Sequence, residues 1–360
     1  MFNPRVLMIG SGYDGCNYPR IYLPATFNGF WTDKPSMLDN QFNLEDIKNQ
    51  LDEADVIVFH RAEEQTYHNL AKFLKDKGKK IVVDNDDTFK VEAEHPLMNF
   101  NANGSVVKDI KRREDNMNSF MEMCDLVTCS TENLKKEYSQ FNKNVVVLPN
   151  YVDPDDWDEP LRNEGDKVRI GIVGSTALEY DYLHVKDLIK KLSEREDVEL
   201  VLIGLGDKKH QVLNPEVTKK FKDEYKFWNE IKAEQFPWCR RADYNRVLNE
   251  ARLDIMLIPR RENYFNTCKS NIKFLEASMC EVPVIAQSFN NAPYEEISES
   301  MGVLIRDNYK WEQEINRLVN DKELRRSMGK KAREYVIKNY NIADHYEEWN
   351  TAYSNLYAKN

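Results

Sequence analysis

Short apolar runs alternate with amphipathic stretches along the chain, and the alternation predicts strand followed by helix, repeated many times over. In the first part the strand-like runs are 5–9 (RVLMI), 55–59, 80–83, 126–129 and 145–148. Helices are predicted at 44–51, at 65–77 (closed by Gly78), at 105–123, and after Ser130-Thr131, either of which is placed as an N-cap. The order then starts again. Strands are predicted at 168–173, 198–204, 253–259, 282–286 and 304–305. Helices are predicted from 174 to about 195, on the surface around 217–231, and at 244–251, 268–279, 311–319, 323–338 and 342–357. Strands separated by helices imply parallel sheets. Residues 153–166, rich in Pro, Asp and Glu, read as a linker. The expected architecture is α/β: two Rossmann-like, doubly wound units, residues 1–152 and 167–340, facing across a cleft.

One stretch, NYFNTCKSNIKFLEASMCEVPVIA (263–286), carries the clearest chemistry. In a helix from about 268 to 279, Lys269, Lys273 and Glu276 fall at i, i+4 and i+7 and share a face. Ile272, Leu275 and Met279 form a separate, buried face, and 282–286 is a buried strand. The free N–H groups near Ser270 and Asn271 lie at the positive end of the helix dipole. Helix N–H donors with two lysines suit a diphosphate, and a carboxylate two turns on suits a ribose. The alternative is a solvated face on which Glu276 pairs with a lysine.

Composition narrows the class without choosing the chemistry. A chain of 360 residues with 41% hydrophobic and 31% charged positions is an ordinary globular protein long enough for two domains. The six cysteines show no metal-ligand spacing and read as reduced thiols. No signal-peptide pattern precedes the first strand, and no apolar run approaches the roughly 20 residues of a membrane span, so a cytoplasmic protein is expected. The formal net charge of −10 disfavours non-specific nucleic-acid binding.

Other candidates sit at predicted strand ends. Gly10, Gly12 and Gly15 give a G-x-G-x-x-G spacing after the first strand. Pro19 and Pro24 interrupt the helix that a dinucleotide site requires, so a loop shaped for an acceptor is the better reading, with Asp14 in it. His60 and Arg61 end the strand 55–59. Asp84, Asp86 and Asp87 end the strand 80–83, as cleft residues facing an acceptor, as a divalent-metal site, or as turn and cap residues. Gly174 allows close backbone approach, and the N–H groups of Ser175 and Thr176 could cap a phosphate; an ordinary tight turn is the alternative.

The segment KSNIKFLEASMCEVPVIA resembles the donor-site helix of family-four-type retaining glycosyltransferases of the GT-B fold (glycosyltransferase group 1), of bacterial or phage-like type. A second segment, DLVTCSTENLKKEYSQFNKNVVVLPNYVD, is similar to the end of the first domain in the same family. The resemblance implies a GT-B fold whose terminal helix, 341–358, packs back on the first domain. It implies transfer from a nucleotide-diphosphate sugar (UDP- or GDP-sugar) with retention, and no required metal or cofactor. Glu276 matches the family's ribose-binding glutamate. The glutamate usual eight residues earlier is Cys268 here, which leaves the sugar contact to backbone groups or to Glu262 or Asn263. Trp238 lies where the family lines the base, with core packing as the alternative, and Arg20 where an arginine lies near the cleft, with a structural ion pair as the alternative. Asp84–Asp87 resembles an acidic cluster of the family's first domain. Lys269 and Lys273 would then stabilise the leaving diphosphate. A saccharide is the family's usual acceptor. A hydroxymethylated base in DNA is the alternative, suggested by the basic run 108–115 and by Arg240-Arg241 and Arg260-Arg261. A sugar-nucleotide epimerase and a non-catalytic sugar-nucleotide binding module are the rivals from other classes.

Overall fold

The structure is a computed structural model. It describes residues 2–10, 12, 14–33, 47–92, 110–174, 176–205, 226–228 and 230–358. Among the described residues twelve strands form two six-stranded sheets. The first holds β1 (Val6–Ile9), β2 (Trp31–Thr32), β3 (Val56–His60), β4 (Lys80–Asp84), β5 (Leu126–Cys129) and β6 (Val145–Val147) in the order β2-β1-β3-β4-β5-β6. The second holds β7 (Val168–Val173), β8 (Val198–Ile203), β9 (Glu234–Phe236), β10 (Ile255–Ile258), β11 (Val284–Gln287) and β12 (Gly302–Ile305) in the order β12-β11-β10-β7-β8-β9. Every strand pair is parallel. In each sheet the order reverses beside the opening strand, at β1/β3 and at β7/β10. These are the switch points outside which doubly wound sheets bind ligands.

Period-two alternation sorts each buried strand between two cores. Leu7, Ile9, Ile57, Phe59, Ile81 and Val83 face one side of the first sheet. Val6, Met8, Val56, Val58 and Val82 face the other, where they meet Trp349 and Tyr353 of the terminal helix Glu347–Ser354. The chain crosses between the sheets twice, and the two crossings pair with each other. Val152 N–H donates to Tyr340 O (2.9 Å) and Ile342 N–H to Val152 O (2.9 Å).

Several elements depart from the periodicity reading. The predicted helix 268–279 begins late, at Ile272–Met279, and a separate turn at Tyr264–Thr267 precedes it. The Asn263 side chain caps the early turn by accepting Asn266 N–H (2.8 Å). The expected single helix from 174 to 195 is Thr176–Tyr182, a 3-10 turn Leu183–Val185, and Lys186–Ser193. Pro19 and Pro24 do not abolish the helix after the glycine loop. Each lies in the first two positions of its own segment, Tyr18–Tyr22 (a π-helix) and Leu23–Asn28, where no N–H is needed. Of the surface helix expected at 217–231, residues 226–228 are helical, but Trp228 is wholly buried; 217–225 lie outside the described residues, as do 44–46 and 105–109 of two other predicted helices. Strand β9 (EQF) has no apolar pattern to announce it.

Helix Lys322–Tyr340 lies so close to the turn before β11 that a Cβ on Gly329 would stand 1.9 Å from Glu281 O. Gly329→Ala should therefore destabilise the protein by about 1–3 kcal/mol despite alanine's better helix propensity. A urea-unfolding midpoint measures this.

Candidate active site

The loops at the carboxyl ends of β1, β3 and β4 converge. Asp14 shapes the first by accepting the N–H groups of Cys16 (2.9 Å) and Asn17 (2.8 Å). Gly12 has φ +147°, a conformation that side chains disfavour. Asp33 holds the loop's base, accepting Gly10 N–H (2.9 Å) and lying 3.4 Å from the Tyr22 hydroxyl. Burial pushes the Asp33 carboxyl up to about 7, although these hydrogen bonds oppose the shift.

Arg20 and Asp84 do not face an acceptor; they correct the sequence expectation. Both are wholly buried. Arg20 Nε and Nη2 donate to the two Asp84 oxygens (3.0 and 2.6 Å), and Nη1 donates to Leu148 O and to Asn150 Oδ1 (3.1 Å). Thr128 donates a further bond to Asp84 (2.7 Å). The pair joins the ends of β4, β5 and β6 from within, because a buried charge is stable only when paired and hydrogen-bonded. His60 and Asp86 also lie together, the His60 side chain as buried as Arg20 and Asp86 partly exposed. His60 Nδ1 is 2.7 Å from Asn17 Oδ1, and Nε2 is 3.4 Å from Asp86. Arg61, at φ +50°, donates Nε to Asp86 (2.7 Å). Burial alone would raise the Asp86 carboxyl, but Arg61 and His60 outweigh it and hold it well below the usual carboxylate range.

Across from this cluster stands the segment leading into helix Ile272–Met279. Lys269 Nζ donates to both oxygens of Asp87 (2.8 and 2.9 Å) and sits 3.9 Å from the Phe265 ring centre. Three more bonds reach the segment from the first sheet: Thr131 to Cys268 O (3.1 Å), Asn133 to Thr267 O (2.6 Å) and Asn150 to Ser270 Oγ (2.9 Å). The Asn271 side chain does not cap the helix; it donates to Glu296 instead. The first turn therefore keeps its N–H groups without a side-chain cap. Lys273 Nζ donates to Glu276 (2.8 Å) and to the Tyr244 hydroxyl (2.8 Å), which itself donates to Glu276 (2.8 Å). Burial would lower the Lys273 ammonium, but Glu276 and Tyr244 raise it above the ordinary lysine value. Thus both lysines are neutralised, one across the cleft and one along the helix.

Gly174 follows β7 and donates its N–H to Ile203 O (3.0 Å). Ser175 lies outside the described residues, and Thr176 opens the next helix. Trp238 is 58% exposed. Two residues that the sequence reading passed over are central. Tyr244, read only as a helix start, completes the Lys273–Glu276 triangle. Asp181, almost fully buried, accepts from Arg260 Nη1 (2.9 Å), Arg261 N–H (3.1 Å) and Asn266 Nδ2 (2.8 Å), tying the helix after Gly174 to the loop that carries Asn263. An aspartate near the end of a helix gives no such signal in sequence.

The basic runs are largely neutralised. Lys111 pairs with Glu114 and Asp115, Arg113 with Glu63, and Arg260 with Asp181, while Arg241 stacks 3.7 Å over Tyr18. Among the described residues no group of three His, Cys, Asp or Glu side chains could hold a metal ion, and no helix is long and apolar enough to cross a membrane.

The sequence matches the family model of "Glycosyl transferases group 1" over residues 153–335, half of the chain. The chain belongs to that family: it is a glycosyltransferase of GT-B fold that transfers a sugar from a nucleotide sugar. Solved structures agree in fold. Sucrose-phosphate synthase from Thermosynechococcus elongatus superposes with a TM-score of 0.64 at 12% identity, over 99% of this chain and 100% of that one. Anabaena HepE in complex with UDP-glucose gives 0.64 at 11%, over 99% and 100%. WaaG, a glycosyltransferase involved in lipopolysaccharide biosynthesis, gives 0.58 at 14%, over 96% and 98%. No curated protein matches the chain in sequence.

Asp33 generates a pH prediction. Its folded-state pKa, about 7, lies above the ordinary carboxylate value, so the fold favours the protonated form. Its contribution is complete below about pH 4 and is lost as pH rises through 7. Denaturation midpoints of the parent should fall across that window relative to those of Asp33→Asn, measured side by side.

Proposed function

We propose that this enzyme moves a hexosyl- or pentosyl-type sugar, with retention and without a required metal, from a UDP- or GDP-sugar to a hydroxyl of a saccharide acceptor. The domains would be residues 1–152 for the acceptor and 167–340 for the donor, joined by 153–166, with 341–358 packed on the first. The observation that carries the reading is the uncapped first turn of helix Ile272–Met279, flanked by Lys269 and Lys273. A diphosphate against those N–H groups would exchange the Lys269–Asp87 and Lys273–Glu276 pairs for pairs with phosphate oxygens. Glu276, released from Lys273, would accept from the ribose hydroxyls. Gly174 with the N–H groups of Ser175 and Thr176 would approach the donor, as would Asn263, Ser270 and Asn271, with Trp238 at the base. Likeness to the HepE complex with UDP-glucose favours a UDP-sugar.

In the reaction the bond from the anomeric carbon to the phosphate oxygen breaks, and the nucleoside diphosphate leaves with the electron pair. The acceptor oxygen bonds the same carbon on the same face and gives up its proton. The ammonium groups act where negative charge grows, which is where preorganised electrostatics lower a barrier most. On the acceptor side we place Gly12, Asp14, His60, Arg61 and Asp86. A glycan is favoured over DNA because the basic runs are paired within the protein, leaving little charge to contact phosphates. Likeness to WaaG supports the same choice. The cysteines are all free thiols, in keeping with a cytoplasmic enzyme.

A thermal-shift panel of sugar nucleotides, followed by mass spectrometry of products with and without saccharides, tests the reading. Transfer to a saccharide supports it. Conversion of the donor alone indicates an epimerase, and binding without turnover a non-catalytic module. Lys273→Ala should lower kcat about 100-fold; turnover at the parent rate would contradict the charge-stabilising role.

A further inference from the structure

A groove of about 730 Å³ runs between the ends of β5 and β6 on one side and the ends of β11 and β12 on the other. Its walls include Lys269, Ser270 and Asn271 but neither Lys273, Glu276 nor any residue of the loop at 12–20. It therefore shares the donor segment Lys269–Asn271 as one wall and extends away from the helix face that carries Glu276. Its volume is that of an ordinary small-ligand site.

The charges lining it are mostly spent. Lys269 is on Asp87, Arg306 donates to Glu295 (2.9 Å), and Glu296 accepts from Asn271, from Tyr335 (2.9 Å) and from Tyr340 (2.5 Å). With Lys269 assigned above to the donor diphosphate and Arg306 held by Glu295, the rest of the groove offers an acceptor no unpaired cation among the described residues. The exposed side-chain amides of Asn290 and Asn291 are different: among the described residues, neither has a hydrogen-bond partner. Asn291 holds φ +60°, a left-handed conformation that asparagine adopts more readily than most non-glycine residues. An amide offers two donors and an acceptor side by side, the complement of neighbouring sugar hydroxyls. Pro293 supplies half-buried apolar surface for the C–H face of a ring, with the buried Phe289 close by in the lining.

We propose that this groove binds neutral sugar units of the acceptor glycan beyond the unit that receives the transferred sugar, with Asn290 and Asn291 as its hydrogen-bonding amides. The proposal rests on the saccharide-acceptor reading above. Because the groove draws its walls from both sheets, an extended acceptor would bridge them and favour their apposition.

The test uses the full chain and the double variant Asn290→Ala/Asn291→Gly; glycine keeps the left-handed backbone while removing the amide. The probes are neutral oligosaccharides of one to six hexose units with the sugar nucleotide found in the panel. The parent should show a lower KM for longer acceptors. The variant should raise KM for acceptors of four or more units about tenfold, with KM for the one-unit acceptor, KM for the donor, kcat and melting temperature unchanged. A parent indifferent to acceptor length, or equal length dependence in parent and variant, overturns the subsite while leaving the transferase reading intact. A parent that binds the donor but transfers to no saccharide overturns both.

Discussion

The structure depends on how one irregular segment, residues 267–270, is fastened to the opposite sheet. Asp87, Thr131, Asn133 and Asn150 each bond a different residue of it. Behind Asn150 stands the buried Arg20–Asp84 pair, so the connection runs Asp84–Arg20–Asn150–Ser270 from inside the first core to the edge of the second domain. Removing charges from water is unfavourable unless every group is matched, and here the match continues across the domain boundary. The two crossings at Val152 and Asn341 hold the far end. Between these fastenings the switch points of both sheets face a common cleft.

This arrangement explains why an enzyme that handles diphosphates can be acidic overall. The cations proposed for the diphosphate are local, and each is paired with a carboxylate. Lys269 is kept by a residue of the opposite domain, so exchanging Asp87 for phosphate would couple donor binding to the relation between the domains. Lys273 is kept by Glu276 on its own helix, so the same exchange would free a carboxylate for the sugar ring of the nucleoside. One ligand with a diphosphate and a ribose would answer both pairs at once.

Much of the fold was legible because buried parallel strands carry unbroken apolar runs. The RVLMI run at 5–9 and the apolar runs at 168–173 and 282–286 announce β1, β7 and β11, and the helices between them follow from periodicity. Strand β9 was not legible, since an exposed edge of Glu, Gln and Phe needs no apolar pattern. The break at 268–271 escaped notice because its cause is non-local: carbonyls that would continue a helix are bonded from residues about 135 positions earlier. The shared face of Lys269, Lys273 and Glu276 was readable, and the pairing of Glu276 with a lysine was the alternative reading, but Asp87 and Tyr244 as further partners were not. Asp87 lies 182 positions from Lys269, and Tyr244 gave no sign of polar duty. Arg20 and Asp84 looked like cleft residues because burial is a property of the fold and not of residue type.

The account turns on where a pyrophosphate would rest. A crystal structure of the full chain with UDP or GDP tests it most directly. The account predicts phosphate oxygens within hydrogen-bond distance of the N–H groups at Asn271–Lys273, with the Lys269 ammonium moved from Asp87 onto the phosphate. A nucleotide bound elsewhere, with the Lys269–Asp87 and Lys273–Glu276 pairs intact, would contradict it.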